Sequence, residues 1–108
     1  MIHYIPTSTK ESWYRETVKL DGSEYVLTFA WNERERRWYM DMETIDGTAI
    51  AYGVKIVADA VLLKGVTNDL RPRGLLLSTD MTAEGVDPDI RDLGSRVRLF
   101  YIDEEDIV

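Results

Sequence analysis

Carboxylates are the commonest side chains here that could do chemistry, with 20 Asp and Glu against 13 Lys and Arg. Asp41 and Glu43 are two residues apart, so in an extended strand they share a face. A glycosidase uses such a carboxyl pair, one residue as acid and the other as base or nucleophile. These two, however, lie opposite Trp38, Met40 and Met42, where solvated polar side chains belong, and a wet strand face is the better reading. Asp80, Glu84, Asp87, Asp89 and Asp92 crowd one later stretch and offer the oxygen ligands that calcium takes. Their order lacks the Asp-x-Asp-x-Asp-Gly run closed by a Glu, so they read as an acidic, solvated loop. His3 is the one histidine, which rules out a His-based triad or a multi-histidine metal site within one chain. It reads as an ordinary residue near the N-terminus. There is no cysteine, so disulfides and thiolate metal sites are excluded as well. Glycine-rich phosphate cradles and Gly-x-Ser-x-Gly are missing too. The chain therefore reads as a non-enzyme, with no catalytic residue, metal ligand or cofactor assigned.

Binding offers more. Arg34, Arg36 and Arg37 lie beside Trp31, Trp38 and Tyr39, and arginine next to aromatic rings can clamp carboxylates or stack on planar groups. Glu33 and Glu35 alternate with these arginines, so the local charge is nearly balanced. Arg34, Arg36, Arg37 and Tyr39, together with Asp87, Asp89 and Asp92 of the acidic loop, form the candidate partner-binding surface. The formal net charge of -7 opposes nucleic acid, whose affinity comes mainly from Lys and Arg on phosphates. It equally opposes an anionic membrane surface. No apolar run approaches the roughly 20 residues that span a bilayer, and the first residues lack the pattern of a secretory signal. Neither nucleic acid nor membrane is expected as a partner.

The elements that position these residues are strands. Residues 13–20 and 23–31 flank Asp21-Gly22, a pair suited to a two-residue type I′ turn because both central residues need positive φ. Tyr25, Leu27, Phe29 and Trp31 recur at period 2 and form an apolar face. Trp31 is expected in the core, where truncation to Ala would cost about 3–5 kcal/mol. A charged turn at 32–37 leads into an alternating strand at 37–43, and Asp46-Gly47 reverses the chain into 48–52. The first half is thus a four-stranded antiparallel meander. Residues 54–63 fit either a strand or a short helix; their Val and Ile content and the bracketing Gly53 and Gly65 favour strand. Residues 67–74 form a loop, 75–79 a short strand, and 81–96 a long acidic surface loop with room for one helical turn at 87–93. A last strand covers 96–102. The 108 residues make one β domain, 1–108, with an acidic tail at 103–108. The fold class is all-β: a small antiparallel barrel or sandwich of about six to eight strands built from hairpins.

One resemblance covers most of the chain. Lys19-Leu20-Asp21-Gly22 with Tyr25 and Leu27, then Trp31-Asn32, Arg37-Trp38-Tyr39 and Asp46-Gly47, carry its first half. Arg73-Gly74-Leu75-Leu76 and Asp92-Leu93-Gly94-Ser95-Arg96-Val97 with Leu99 and Tyr101 carry its second. In order and spacing the sequence resembles the baseplate plug proteins of contractile-tailed bacteriophages. The resemblance implies a structural virion component of the tail baseplate, made in the host cytoplasm and packed against hub and tube proteins. It also implies an arrangement compatible with several copies around the tail axis. The length of the 81–95 loop independently fits a segment that orders on docking. Three other readings stand beside it: a stand-alone β-sandwich or barrel that binds carbohydrate or another ligand through exposed rings, a hydrolase using Asp41 and Glu43, and, disfavoured by the charge, an OB-like single-strand nucleic-acid binder.

Overall fold

The computed structural model describes residues 2–107. Met1 and Val108, the ends of the expected 1–108 domain and 103–108 tail, lie outside the described residues. Among the described residues, eight strands form two four-stranded antiparallel sheets: β1 (Ile2–Ile5), β2 (Trp13–Leu20), β3 (Ser23–Asn32), β4 (Arg37–Thr44), β5 (Ala49–Lys55), β6 (Ala60–Val61), β7 (Leu75–Asp80) and β8 (Val97–Ile102). One sheet runs β2-β3-β4-β5 and is the expected meander; the other runs β1-β8-β7-β6. Of the two architectures left open, this is the sandwich, and neither sheet closes into a barrel.

The meander forms because its turns and its alternation agree. Asp21 and Gly22 both take positive φ, 49° and 81°, the I′ geometry that matches the twist of the flanking strands. That turn sets the β2-β3 register, opposing Leu20 to Ser23 and Tyr14 to Phe29. Period-2 alternation then sends Leu27, Phe29, Trp38, Met40 and Met42 inward, and all five are fully buried. The second sheet sends Ile5, Leu76, Leu99 and Tyr101 against them, and one buried cluster joins both layers. Tyr14 stacks on Phe29 with centroids 5.1 Å apart. The Tyr101 hydroxyl donates to the Asp21 carboxylate and accepts from the Gly74 N–H at 2.7 Å, which ties β8 to the first turn.

Three sequence expectations change, and one strand is new. A strand β1 covers Ile2–Ile5, pairing along β8 from Ile2 opposite Ile102 to Ile5 opposite Leu99. Residues 54–63 are not one strand: β5 continues to Lys55, the chain turns, and β6 holds two residues. Partners far along the chain impose that turn. The Ala58 N–H donates to Asp87, the Ser78 hydroxyl donates to the Val57 carbonyl, and Asp59 takes a positive φ while accepting the Asp80 N–H. Residues 87–93 hold turns rather than a helical turn, one closed by the Asp92 N–H on the Asp89 carbonyl at 3.0 Å. Trp31, finally, is half-buried, because it sits at the end of β3 where the sandwich opens.

Candidate partner-binding site

The β3-β4 hairpin tip begins with Asn32, whose Oδ1 accepts the Glu35 N–H at 3.0 Å, and returns through Arg36 at φ 54°. That tight return places the Arg36 guanidinium 5.6 Å from the Trp31 ring centroid, a cation–π contact. Trp31 in turn meets Trp38 edge-on at 5.7 Å. Trp38 is fully buried, and its indole N–H donates to the Asp89 carbonyl at 3.1 Å, so the hairpin is pinned to the acidic loop.

Two groups of expected site residues, about fifty positions apart in sequence, thereby come together. Arg36 pairs with Asp89 at 2.9 Å, and Arg37 with Asp87 at 3.3 Å. Both pairs line a shallow depression of about 390 Å3 that also takes in Asp92 and Arg96. Arg34 is exposed on the tip, outside that lining. Tyr39 faces the outer side of its sheet and donates to Glu35 at 2.6 Å, and this bond to a carboxylate raises its phenol pKa.

Arg96 organises the loop, and sequence reasoning did not single it out. Its guanidinium donates to the Asp80 carboxylate at 2.8 Å, the Val86 carbonyl at 2.8 Å, the Asp87 carbonyl at 3.0 Å and the Asp92 carboxylate at 3.0 Å. The Asp80 side chain is fully buried and also accepts from the Thr82 hydroxyl and N–H and from the Val86 N–H. These bonds, the Thr82 hydroxyl foremost, lower its carboxyl to about 2. Burial pushes Asp92 up, but the Asp89 N–H and Arg96 outweigh it and leave the carboxyl below its ordinary value. The loop is therefore stapled within the chain, with Leu93 fully buried beneath it. Its only sequence signal is an arginine at the end of an acidic stretch.

The remaining chemical candidates are engaged too. Asp41 accepts the Gly53 N–H, and Glu43 accepts the Tyr52 hydroxyl, both on the outer face of the meander. Of the five residues considered for calcium, Asp80, Asp87, Asp89 and Asp92 hold backbone N–H groups and arginines. The His3 Nε2–H donates to the Asp103 carboxylate at 2.9 Å, joining β1 to the segment after β8, and this hydrogen bond lowers the Asp103 carboxyl. Tyr4 and Phe100 form a partly exposed ring pair, but their planes are 54° apart and offer no flat sugar platform.

A family model described as cyanophage baseplate Pam3 plug gp18 matches residues 2–104. No curated protein matches the chain.

Proposed function

Because this chain belongs to the family of the cyanophage baseplate Pam3 plug gp18, we propose that it is a structural part of a contractile tail that packs against the hub and tube proteins. Membership implies a place in the virion tail baseplate and contact with other baseplate proteins. The family match over residues 2–104 carries this reading. The role is structural rather than catalytic, the chain is made in the host cytoplasm, and several copies surround the tail axis. Arg34, Arg36, Arg37, Tyr39, Asp87, Asp89 and Asp92 contribute a rigid edge to the contact. Most of the charges there are already paired within the chain, so this edge supplies shape and register more than long-range steering. Quantitative mass spectrometry of purified particles tests the assignment. A fixed ratio to hub and tube proteins is expected; a chain found only in the lysate would overturn it.

A further inference from the structure

The two outer faces of the sandwich differ in a way that the core does not require. The outer face of the meander sets Arg15, Lys19, Glu24, Asp41, Glu43 and Lys55 around the exposed rings of Trp13 and Tyr52, a charged surface of the kind expected where one side of an antiparallel sheet meets water. The other sheet breaks that rule. Its inward positions are Leu76, Leu99 and Tyr101, yet the residues between them are also apolar. Across the strands they align in two rows. Ile2 opposes Ile102, which opposes Leu75; Tyr4 opposes Phe100, which opposes Leu77. The second row continues to Val61 on β6. Ile2 is 64% exposed, Tyr4 47% and Val61 40%. Strands apolar on both sides mark a sheet covered on both sides, and a contiguous exposed apolar patch marks an interaction surface.

We propose that this outer face of β1-β8-β7-β6 is the seat of a neighbouring baseplate protein that presents an aliphatic surface bordered by basic residues. The inference rests on the baseplate reading above and names the surface through which it works. Two observations select this occupant over a second copy of the chain. Four strands at about 4.8 Å and about five residues at 3.3 Å each give a face on the order of 300 Å2. A stable free-standing interface needs about 800 Å2 from each partner, so this face alone is too small to hold two copies together and forms the apolar centre of a larger contact. Charge points the same way. Beyond Ile102 the chain runs directly into Asp103, Glu104, Glu105 and Asp106, and its net charge is -7. Two copies, each at -7, would repel one another, whereas basic residues around an aliphatic patch complement the charge of this chain. Arg98, the cation at the opposite end of the face, is turned back onto the Ser95 carbonyl at 3.0 Å.

The test is incorporation into particles after complementation with variants of the full chain. Ile2→Asp with Tyr4→Asp alters the most exposed positions, Leu77→Ser is a milder second variant, and Thr17→Asp on the opposite face is the control. Thermal melts of each purified chain select the variants that fold. At least a tenfold loss from particles is expected for the folded variants of the apolar face, with the control incorporated like wild type. Wild-type incorporation of a folded apolar-face variant would overturn the proposal while leaving the baseplate reading intact. Absence of the wild-type chain from particles would defeat that reading and this one with it. Sedimentation velocity of the free chain at about 100 μM should show a monomer. A dimer abolished by Tyr4→Asp would assign the face to a second copy and overturn the choice of occupant.

Discussion

Replacing Trp38 by Ala should remove the largest buried side chain that joins the hairpin to the acidic loop. Its indole is fully buried, lies edge-on to Trp31 and to Tyr14, and donates to the Asp89 carbonyl. Truncation strips roughly 150 Å2 of aromatic surface from the core, about 4 kcal/mol at 25 cal/mol per Å2. The known range for buried large rings, about 3–5 kcal/mol, agrees, and the orphaned carbonyl adds about 1 kcal/mol more. Trp31→Ala should cost clearly less, about 1–2 kcal/mol, because that ring is half-buried and loses mainly its edge contact and its cation–π partner. Equilibrium urea unfolding followed by far-UV circular dichroism measures both. With a slope of about 2 kcal/mol per molar, the Trp38 midpoint should fall by roughly 2 M and the Trp31 midpoint by under 1 M. Equal losses at the two positions, or a Trp38 loss below about 1 kcal/mol, would refute the assignment of Trp38 to the core and Trp31 to its margin.

Further perturbations test other parts of the fold. Gly74→Ala should destabilise by about 1–3 kcal/mol in thermal melts, because a Cβ there would stand 2.0 Å from the Ile102 carbonyl oxygen and 2.5 Å from the Tyr101 hydroxyl; an unchanged melt would contradict that close approach. Asp80 is held down to about 2 in the folded chain, so its contribution is complete above the ordinary aspartate pKa and disappears as pH falls toward 2. Asp80→Asn should therefore flatten stability between about pH 4 and pH 2, and an acid limb as steep as wild type would count against the staple. Tyr14 is pushed up to about 12, chiefly by burial, so its contribution is intact below pH 10 and is lost as pH rises toward 12. Tyr14→Phe should remove about 2 kcal/mol of that alkaline loss, read from urea midpoints at pH 9 and pH 11.5.

The parts of the fold legible in the sequence are those whose causes are local. Asp21-Gly22 carries its own turn geometry, and the alternation from Tyr25 to Met42 assigns faces without reference to the rest of the chain. Strand β1 was not legible because four residues with two isoleucines and no preceding turn carry no period. The break inside 54–63 was hidden because Ser78, Asp80 and Asp87 hold the turn there, and they lie about twenty to thirty positions away. The candidate site shows the same limit. Each half, the arginine hairpin and the acidic loop, was visible by residue type, but their pairing depends on the sandwich bringing residues 36–37 against 87–89. Arg96 was passed over because an arginine next to carboxylates normally reads as a solvated pair; here it reaches a buried Asp80. The apolar outer face lay in plain view in Leu75-Leu76-Leu77 and Leu99-Phe100-Tyr101-Ile102. Only the strand pairing shows that every second residue of those runs aligns into rows on the side away from the core.

The most direct test of the central claim is cryo-electron microscopy of purified particles of the phage that encodes this chain. The account expects this two-sheet sandwich within the baseplate, touching hub or tube proteins, with the outer face of β1-β8-β7-β6 covered by a neighbour. A complete baseplate with no density for the chain would contradict it.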